Sequence, residues 1–164
     1  LSFIRDALAK EGFTLLGAHE IVPDLITPEG VLGKHKPSKK HDIDIARGIE
    51  VAQSLGSVDV GQSVIVQDGI VIGVEAIEGT DELITRCASL RRKPKGGVLV
   101  KLCKPQQDKR LDMPTIGRET IQKLGEHGYD GAAIHAGESL MTARDEMVEM
   151  ANTHKLFIKG IKPE

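Results

Sequence analysis

The chain has 164 residues, of which 40% are hydrophobic and 28% charged, with a formal net charge of −2. This length predicts one domain with its own core, and the composition is ordinary for a globular protein. No apolar run approaches the ~20 residues of a membrane-spanning helix, and no secretory signal pattern is evident. Cys87 and Cys103 lack the spacing of a metal or redox motif, which predicts two reduced thiols in a cytoplasmic protein.

The first predicted element is a helix over residues 1–12, where apolar residues follow helical spacing from Leu1 onwards. Because no capping residue precedes this helix, we expect the chain to be a piece of a longer protein. The next segment, FTLLGAHEI at residues 13–21, is predicted to be a strand. Residues 22–42 are rich in Pro, Gly and Lys, which predicts a long loop with one helical turn.

An amphipathic helix is predicted over residues 42–59. Its apolar face consists of Ile43, Ala46, Ile49, Val51, Ala52 and Leu55. After it, two β-branched runs at residues 62–66 and 70–76 flank the pair Asp68-Gly69. Because this pair is favoured in a type I′ turn, the pattern predicts a β-hairpin.

The segment EGTDELITRCASLRRK, residues 78–93, predicts a helix in which Thr80 is the N-cap. The remaining predicted elements are a buried strand at 96–103, a helix at 117–128, a strand, turn and short strand within 130–142, a helix at 142–155 and a last strand at 156–162. Helices and strands therefore alternate, with one embedded hairpin. This order predicts an α/β fold, a mixed sheet with helices packed on it.

The charge is unevenly distributed. Residues 86–110 contain nine basic side chains and a single acid, Asp108, a local charge of +8 in an acidic chain. Such a segment suggests an anionic ligand, and a solvated charged surface is the alternative. Aromatic residues make up only 2% of the chain, so bases would find few stacking partners. The composition therefore argues against nucleic acid and favours a phosphorylated small molecule or a lipid head group.

The stretch KPQQDKRLDMPTIG, residues 104–117, is the best candidate for chemistry. It leaves the end of a predicted buried strand, where α/β sheets bind ligands, and its two prolines stiffen it. Asp108 and Asp112 are hard oxygen ligands suited to Mg²⁺ or to positioning a water molecule. The groups that could bind phosphate oxygens are Lys101, Lys104, Lys109, Arg110 and Thr115. A charged surface loop without chemistry is the alternative.

The EGTD stretch, residues 78–81, is a second candidate, although Thr80 is favoured as a plain helix cap. Carboxylates beside a helix start could also hold a phosphate or a hydrated metal ion. His135, within an apolar run, is favoured as a packed strand residue rather than a catalyst. The sequence lacks a phosphate-binding P-loop, a GxGxxG, a GxSxG and an HExxH motif.

Together these stretches resemble the carboxy-terminal domain of the LpxI-type UDP-2,3-diacylglucosamine pyrophosphatases of lipid A synthesis. The resemblance is carried by QSVIVQDGIVIGVEAIEGTDELI, GGVLVKLCKPQQDKRLDMPTIG, GYDGAAIHAGESLM and LFIKGI. It implies Mg²⁺-dependent hydrolysis of the diphosphate of UDP-2,3-diacylglucosamine, with water attacking the β-phosphorus. The implied products are UMP and 2,3-diacylglucosamine 1-phosphate, called lipid X. The implied setting is the cytoplasm of a Gram-negative bacterium, with peripheral inner-membrane contact through the lipid substrate.

Carried over to this chain, the family's essential aspartate corresponds to Asp108 or Asp112, and Asp108 is preferred. Its implied role is to bind Mg²⁺ or to orient the attacking water. Lys101 and Arg110 would offset charge on the diphosphate. Among the remaining candidates, Thr80 and Asp81 would contact the head group or the metal ion, and Lys104 and Thr115 would bind substrate.

The resemblance also bears on domain organisation. Family members carry an amino-terminal Rossmann-like domain, and their active site lies between the two domains. We therefore expect residues 1–164 to be a single catalytic carboxy-terminal domain that supplies half of the site and is weakly active or inactive alone. The alternative is a non-catalytic α/β module that binds an anionic metabolite or mediates dimerisation, and a homodimer is one predicted assembly.

Overall fold

The computed structural model of the protein describes residues 2–163, so Leu1, where the first predicted helix starts, lies outside the described residues. The helices are α1 (Ser2–Lys10), α2 (Ala18–Ile21), α3 (Lys39–Ser57), α4 (Thr80–Ala88), α5 (Arg118–Glu126) and α6 (Arg144–His154), with a 3₁₀ turn at Pro23–Leu25. The strands are β1 (Gly30–Leu32), β2 (Ser63–Gln67), β3 (Ile70–Val74), β4 (Val98–Lys101), β5 (Thr115–Ile116), β6 (Gly131–His135), β7 (Leu140–Met141) and β8 (Phe157–Ile161).

Six strands form one mixed sheet in the order β1-β8-β6-β4-β2-β3, which confirms the predicted fold class. β4, β6 and β8 are parallel, whereas β1 and β2 run antiparallel to the parallel strands beside them. Because β2 opposes β4, its first residue, Ser63, pairs with Lys101, the last residue of β4. The ends of β4, β6 and β8 therefore meet the start of β2 and the end of β3 along one side, which we call the carboxyl edge.

Helices cover both faces of this sheet. Alternate strand residues point to opposite faces, so Val64 and Val100 pack with α3, while Ile65 and Leu99 pack with α4, α5 and α6. The second, two-stranded sheet of β5 and β7 lies outside the main one. None of the helices within residues 2–163 combines the length and the apolar character that a bilayer crossing requires.

The predicted hairpin is confirmed. Asp68 and Gly69 both have positive φ, 55° and 75°, as a type I′ turn requires. The buried carboxylate of Asp44 accepts hydrogen bonds from the backbone N–H groups of Gly69 (2.6 Å) and Asp68 (3.3 Å). α3 thus fixes the turn at the end of the hairpin opposite the carboxyl edge.

Two predictions near the amino terminus are wrong. Residues 13–21 do not form a strand, because Phe13 and Leu16 are exposed and the Gly17 N–H donates to Glu20 Oε1, which starts α2. The predicted long loop contains its helical turn, but also β1, where Gly30 pairs with Gly160 of β8. Residues 13–21 have no neighbouring strand to pair with, and β1 has only three residues, too few for a pattern in the sequence to indicate it.

The predicted apolar face of α3 is also partly wrong. Ile43 is 64% exposed and Ala46 is exposed, whereas the buried face consists of Asp44, Ile45, Gly48, Ala52 and Gly56. A Cβ on Gly48 would lie 2.4 Å from Val100 Cγ2, so the helix approaches β4 more closely than a larger residue allows. From β4 onward each predicted helix and strand is confirmed, and only β5 was not predicted.

Candidate active site

Lys101 lies at the carboxyl edge and is only 7% exposed. Its ammonium donates to Thr80 Oγ1 at 2.8 Å, the one hydrogen bond that it makes to a described residue. Burial lowers the pKa of Lys101, and the carboxylates of Glu75, Asp81 and Asp112 act in the opposite direction. An ammonium has three N–H donors, so this buried cation retains hydrogen-bonding capacity for an anion.

The other cations of the basic segment are mostly neutralised within the fold. Five form ion pairs, namely Arg86 with Glu78, Lys93 with Asp68, Lys104 with Asp59, Lys109 with Glu138 and Arg110 with Asp108. Arg91 instead donates to backbone carbonyls and lies over the Tyr129 ring. The local charge of +8 therefore overstates the charge that is offered to a ligand. Three further cations, Arg92, Lys95 and Lys101, form no ion pair with a described residue, and of these three only Lys101 is buried.

Thr80 is not the N-cap that the sequence predicts. Gly79 occupies that position with φ 83°, and Thr80 is the first helical residue, with its side chain turned towards the sheet. Its hydroxyl donates to Glu75 Oε1 at 2.8 Å and accepts from Lys101. Ser63 Oγ lies 3.2 Å away and must be the donor, because the single Thr80 proton points to Glu75.

Asp81 is held by the neighbouring helix. Its Oδ1 accepts a hydrogen bond from the hydroxyl of Thr120, in the first turn of α5, at 2.8 Å. Thr120 is buried, so this bond connects the amino ends of α4 and α5. Oδ2 of Asp81 makes no hydrogen bond to a described residue, so one oxygen of this carboxylate, whose charge acts on Lys101, has capacity for a ligand.

The two aspartates of the 104–117 loop have different surroundings. Asp108 accepts a bidentate pair of bonds from Arg110, Nε to Oδ1 at 3.0 Å and Nη2 to Oδ2 at 2.9 Å. Its carbonyl also accepts from the backbone N–H groups of Leu111 and Asp112, both at 2.9 Å. Asp108 and Arg110 thus stabilise a tight turn and largely neutralise each other.

Asp112 is the loop aspartate whose charge acts on Lys101. Its Oδ2 accepts from Gln107 Nε2 at 3.0 Å, which orients the carboxylate. Asp108 and Asp112 both line an open pocket of about 400 Å³, together with Lys104. Of the two loop aspartates, Asp112 is thus the one whose charge favours the ammonium form of Lys101, while Asp108 is bonded to Arg110.

The other predicted site residues are already engaged in the fold. The ammonium of Lys104 lies 2.6 Å from Asp59 Oδ1. The hydroxyl of Thr115 donates to the Met113 carbonyl at 3.1 Å. His135 Nδ1 accepts from the backbone N–H of Cys103 at 3.2 Å, as expected of a packed strand residue.

Both cysteines are free thiols, Cys87 buried and Cys103 half-buried, as predicted.

The donor set sets a limit on how a metal ion would bind. Among residues 2–163, no three His, Cys, Asp or Glu side chains converge into a metal site. Mg²⁺ commonly takes only one or two carboxylates and completes its octahedron with phosphate oxygens and water. Asp81 Oδ2 and the Asp112 carboxylate are hard oxygen donors of the kind that Mg²⁺ takes, so the chemistry of the donor set suits an ion that has few protein ligands.

Sequence reasoning missed Ser63 and Thr120. Ser63 is opposite Lys101 in the sheet register, so pairing the predicted hairpin with the following strand would have identified it. The contact of Thr120 with Asp81 depends on how α4 and α5 pack. No local pattern in the sequence signals that packing.

A pH dependence follows from the burial of Lys101. Its folded-state pKa lies below the ordinary value of 10.5, so just below 10.5 the unfolded chain binds more protons than the folded one. The free-energy cost of burying the charged Lys101 ammonium is fully present below the folded-state pKa and disappears as the pH rises towards 10.5. We therefore expect the wild-type chain to gain stability relative to Lys101→Met when the pH is raised. Urea unfolding of both proteins between about pH 7 and about pH 10 measures this difference, and a constant difference would contradict it.

Comparison with known proteins places these residues in a family. The family model described as the LpxI C-terminal domain matches residues 28–159. The UDP-2,3-diacylglucosamine pyrophosphatase LpxI of Caulobacter vibrioides is 38% identical over 167 aligned positions, which cover 98% of this chain and 60% of that protein. The chain thus spans about 60% of the length of this relative. Lys101, Thr80, Asp81 and both loop aspartates lie within the matched residues.

Proposed function

The chain belongs to the LpxI family and contains its C-terminal domain, and we propose that it supplies the carboxy-terminal part of the active site of a UDP-2,3-diacylglucosamine pyrophosphatase. The proposed reaction hydrolyses the diphosphate to UMP and 2,3-diacylglucosamine 1-phosphate. The observation that carries the proposal is the ammonium of Lys101, which is almost buried, has hydrogen-bonding capacity left over and is acted on by the charges of Glu75, Asp81 and Asp112. This group would bind a diphosphate and be able to stabilise charge that develops on it.

The proposed chemistry is attack of a water oxygen on the β-phosphorus. The bond between that phosphorus and the bridging oxygen breaks, the bridging oxygen leaves with UMP, and the water gives up one proton to the loop aspartate that orients it. Lys101 donates hydrogen bonds to phosphoryl oxygens on which charge grows. An aspartate of the 104–117 loop orients the water. The charge of Asp112 acts on Lys101, and Asp112 lines the same open pocket as Asp108, which supports Asp112 for this role alongside Asp108.

We propose Mg²⁺ as the cofactor, held by Asp81 and an aspartate of the loop, Asp108 or Asp112. When bound, the ion would neutralise charge on the diphosphate oxygens. The proposal is supported by the Asp81 Oδ2 atom, which is left without a hydrogen bond to a described residue, while Thr120 fixes the other oxygen. A chelator that leaves turnover unchanged would contradict it.

We further propose that an amino-terminal Rossmann-like domain completes the site. The relative from Caulobacter vibrioides is longer than this chain, which covers 60% of it, and the pocket lined by Asp108 and Asp112 is open on this domain. Contact with the cytoplasmic face of the inner membrane would come through the lipid substrate. A homodimer is proposed as one assembly, and the edge strand β3, with Ile70 exposed, is a suitable pairing surface.

The test is release of UMP by a protein in which this chain is joined to that domain. Asp108→Asn and Asp112→Asn are each expected to lower kcat by about 10²–10⁴, the range for loss of a general acid or base. Asp145→Asn, an exposed aspartate in the first turn of α6, is the matched control and is expected to retain wild-type turnover. Unchanged turnover in both loop variants contradicts the catalytic assignment, and UDP binding without turnover favours the anion-binding module.

A further inference from the structure

The hydroxyl of Thr80 is the point where a buried carboxylate and a buried ammonium meet. Glu75 is 6% exposed, Thr80 9% and Lys101 7%, so solvent contributes little to any of them. The hydroxyl lies 2.8 Å from Glu75 Oε1 and 2.8 Å from Lys101 Nζ. Charge compensation between Glu75 and Lys101 therefore passes through one neutral group and not through a direct ion pair.

The chemistry of the three groups fixes the direction of both bonds. An ionised carboxylate only accepts hydrogen bonds and an ammonium only donates them, whereas a hydroxyl does both. The single proton of Thr80 therefore points to Glu75, and its lone pairs face Lys101 and Ser63. With one bond donated and two accepted, the Thr80 hydroxyl is saturated within the protein. This argues against the predicted role of Thr80 as a direct ligand of substrate.

Glu75 is itself held by the backbone around it. Its N–H donates to the Ser63 carbonyl at 2.8 Å, and its Oε2 accepts from the Gln62 N–H at 3.3 Å. Gly61 lies so close that an added Cβ would be 2.0 Å from the Glu75 carbonyl oxygen. The carboxylate thus has one fixed position at the end of β3, and it can fix Thr80 in turn.

The indirect arrangement has a consequence for anion binding. A carboxylate in direct contact would occupy an N–H of the ammonium and compete with a phosphate for it. Through the hydroxyl, Glu75 orients Lys101 while two N–H groups of the ammonium remain without a described partner. The other charged groups around Lys101 are Asp81 on α4 and Asp112 on the loop, and both are carboxylates that favour its charged form.

We propose that Glu75 is a positioning residue that holds the ammonium of Lys101 in place through the hydroxyl of Thr80. Glu75 and Thr80 do not touch the substrate, and Ser63 supports the same hydroxyl. The inference rests on the proposed function in one respect, namely that Lys101 binds a phosphate of the substrate. We call the path from Glu75 through the Thr80 hydroxyl to Lys101 the relay, and it is a property of the chain without substrate.

The relay is tested first without substrate, from the ¹⁵N-detected ammonium signal of Lys101 in the lysine-labelled chain. Lys101→Met identifies the signal by its loss. Burial and the bond to Thr80 slow hydrogen exchange in the wild type, so we expect a sharp signal near neutral pH. Thr80→Val and Glu75→Gln are expected to speed exchange about tenfold or more, since each removes a charge-assisted bond from the relay. Thr80→Ser retains the hydroxyl and is expected to retain the signal.

Turnover of UDP-2,3-diacylglucosamine by the two-domain protein is the second measurement. Thr80→Val and Glu75→Gln are expected to lower kcat by about ten- to a hundredfold with a smaller change in KM, because a misplaced ammonium loses mainly transition-state contacts. Thr80→Ser is expected to stay close to the wild type. Glu50→Gln, which removes an exposed carboxylate on α3, is the matched control for loss of charge and is expected to change neither measurement.

The two measurements separate the two proposals. An unchanged Lys101 signal in both Thr80→Val and Glu75→Gln overturns the relay, whatever the turnover. A Thr80→Ser variant as impaired as Thr80→Val also overturns it, since the hydroxyl would then not be the active feature. A wild-type protein that binds but does not hydrolyse the substrate overturns the pyrophosphatase proposal. The relay is then tested by the ammonium signal of Lys101 alone. Circular dichroism melting curves show whether each variant is folded.

Discussion

Lys101→Met is expected to lower turnover of UDP-2,3-diacylglucosamine by about 10²–10³, the usual cost of losing one preorganised donor to a transition-state oxyanion. The same substitution is expected to leave the free energy of unfolding unchanged or to raise it by about 1 kcal/mol. Methionine matches the length of the lysine stem and removes a buried charge that makes a single hydrogen bond to the described part of the chain. The lost bond to Thr80 offsets part of that gain.

Lys95→Met is the matched control for this prediction. Lys95 precedes β4 at the end opposite Lys101 and is exposed, so the same change in side chain should affect neither turnover nor stability. Turnover is measured as UMP release and stability by urea unfolding. Wild-type turnover in Lys101→Met would remove Lys101 from the site. A fall of several kcal/mol in its free energy of unfolding would instead identify the lysine as a structural residue.

The position of Lys101 was predictable, but the network around it was not. The short apolar run that ends in Lys101 predicts a strand with a charged group at its end. β4, which ends at Lys101, confirms this. The approach of Glu75 to Thr80 depends on Gly79, whose φ of 83° turns the chain between β3 and α4. Nothing in EGTD distinguishes such a turn from a capped helix start, so the sequence predicts Thr80 as the cap.

The sequence alone also could not separate the roles of Asp108 and Asp112. Both are aspartates on one loop, and a choice between them requires knowing which groups each carboxylate contacts. Arg110 lies two residues after Asp108 and pairs with it locally, a contact that spacing allows but does not require. The influence of Asp112 on Lys101 depends on how the loop folds back onto the carboxyl edge, which is a tertiary property.

The amino-terminal errors have a different physical origin. Residues 13–21 have apolar side chains that suit a strand, but they have no neighbour in the sheet, so local propensity is not reinforced. β1 was missed because only three residues pair with β8, within a segment rich in Pro and Gly. In both places pairing between distant segments, and not local pattern, decides the structure.

Gly61→Ala is expected to destabilise the fold by about 3 kcal/mol, the upper end of the usual cost of overpacking. Gly61 is buried just before β2, and an added Cβ would lie 2.0 Å from the carbonyl oxygen of Glu75 and 2.8 Å from its carbonyl carbon. These atoms are backbone, so no side-chain rotation relieves the clash. The chain must shift where β3 ends, which also displaces the carboxylate that orients Thr80.

Urea unfolding measures the effect of Gly61→Ala, with an expected fall in the midpoint of about 1–2 M for a slope of about 2 kcal/mol per M. Gly56→Ala is the matched control, since its Cβ would meet Pro105 Cδ at 3.4 Å, an ordinary contact, and alanine favours the α3 helix. We therefore expect the control to keep or raise the midpoint. A wild-type midpoint for Gly61→Ala would show that the β3 end can move freely, and Glu75 would then lack the fixed position on which its orienting role depends.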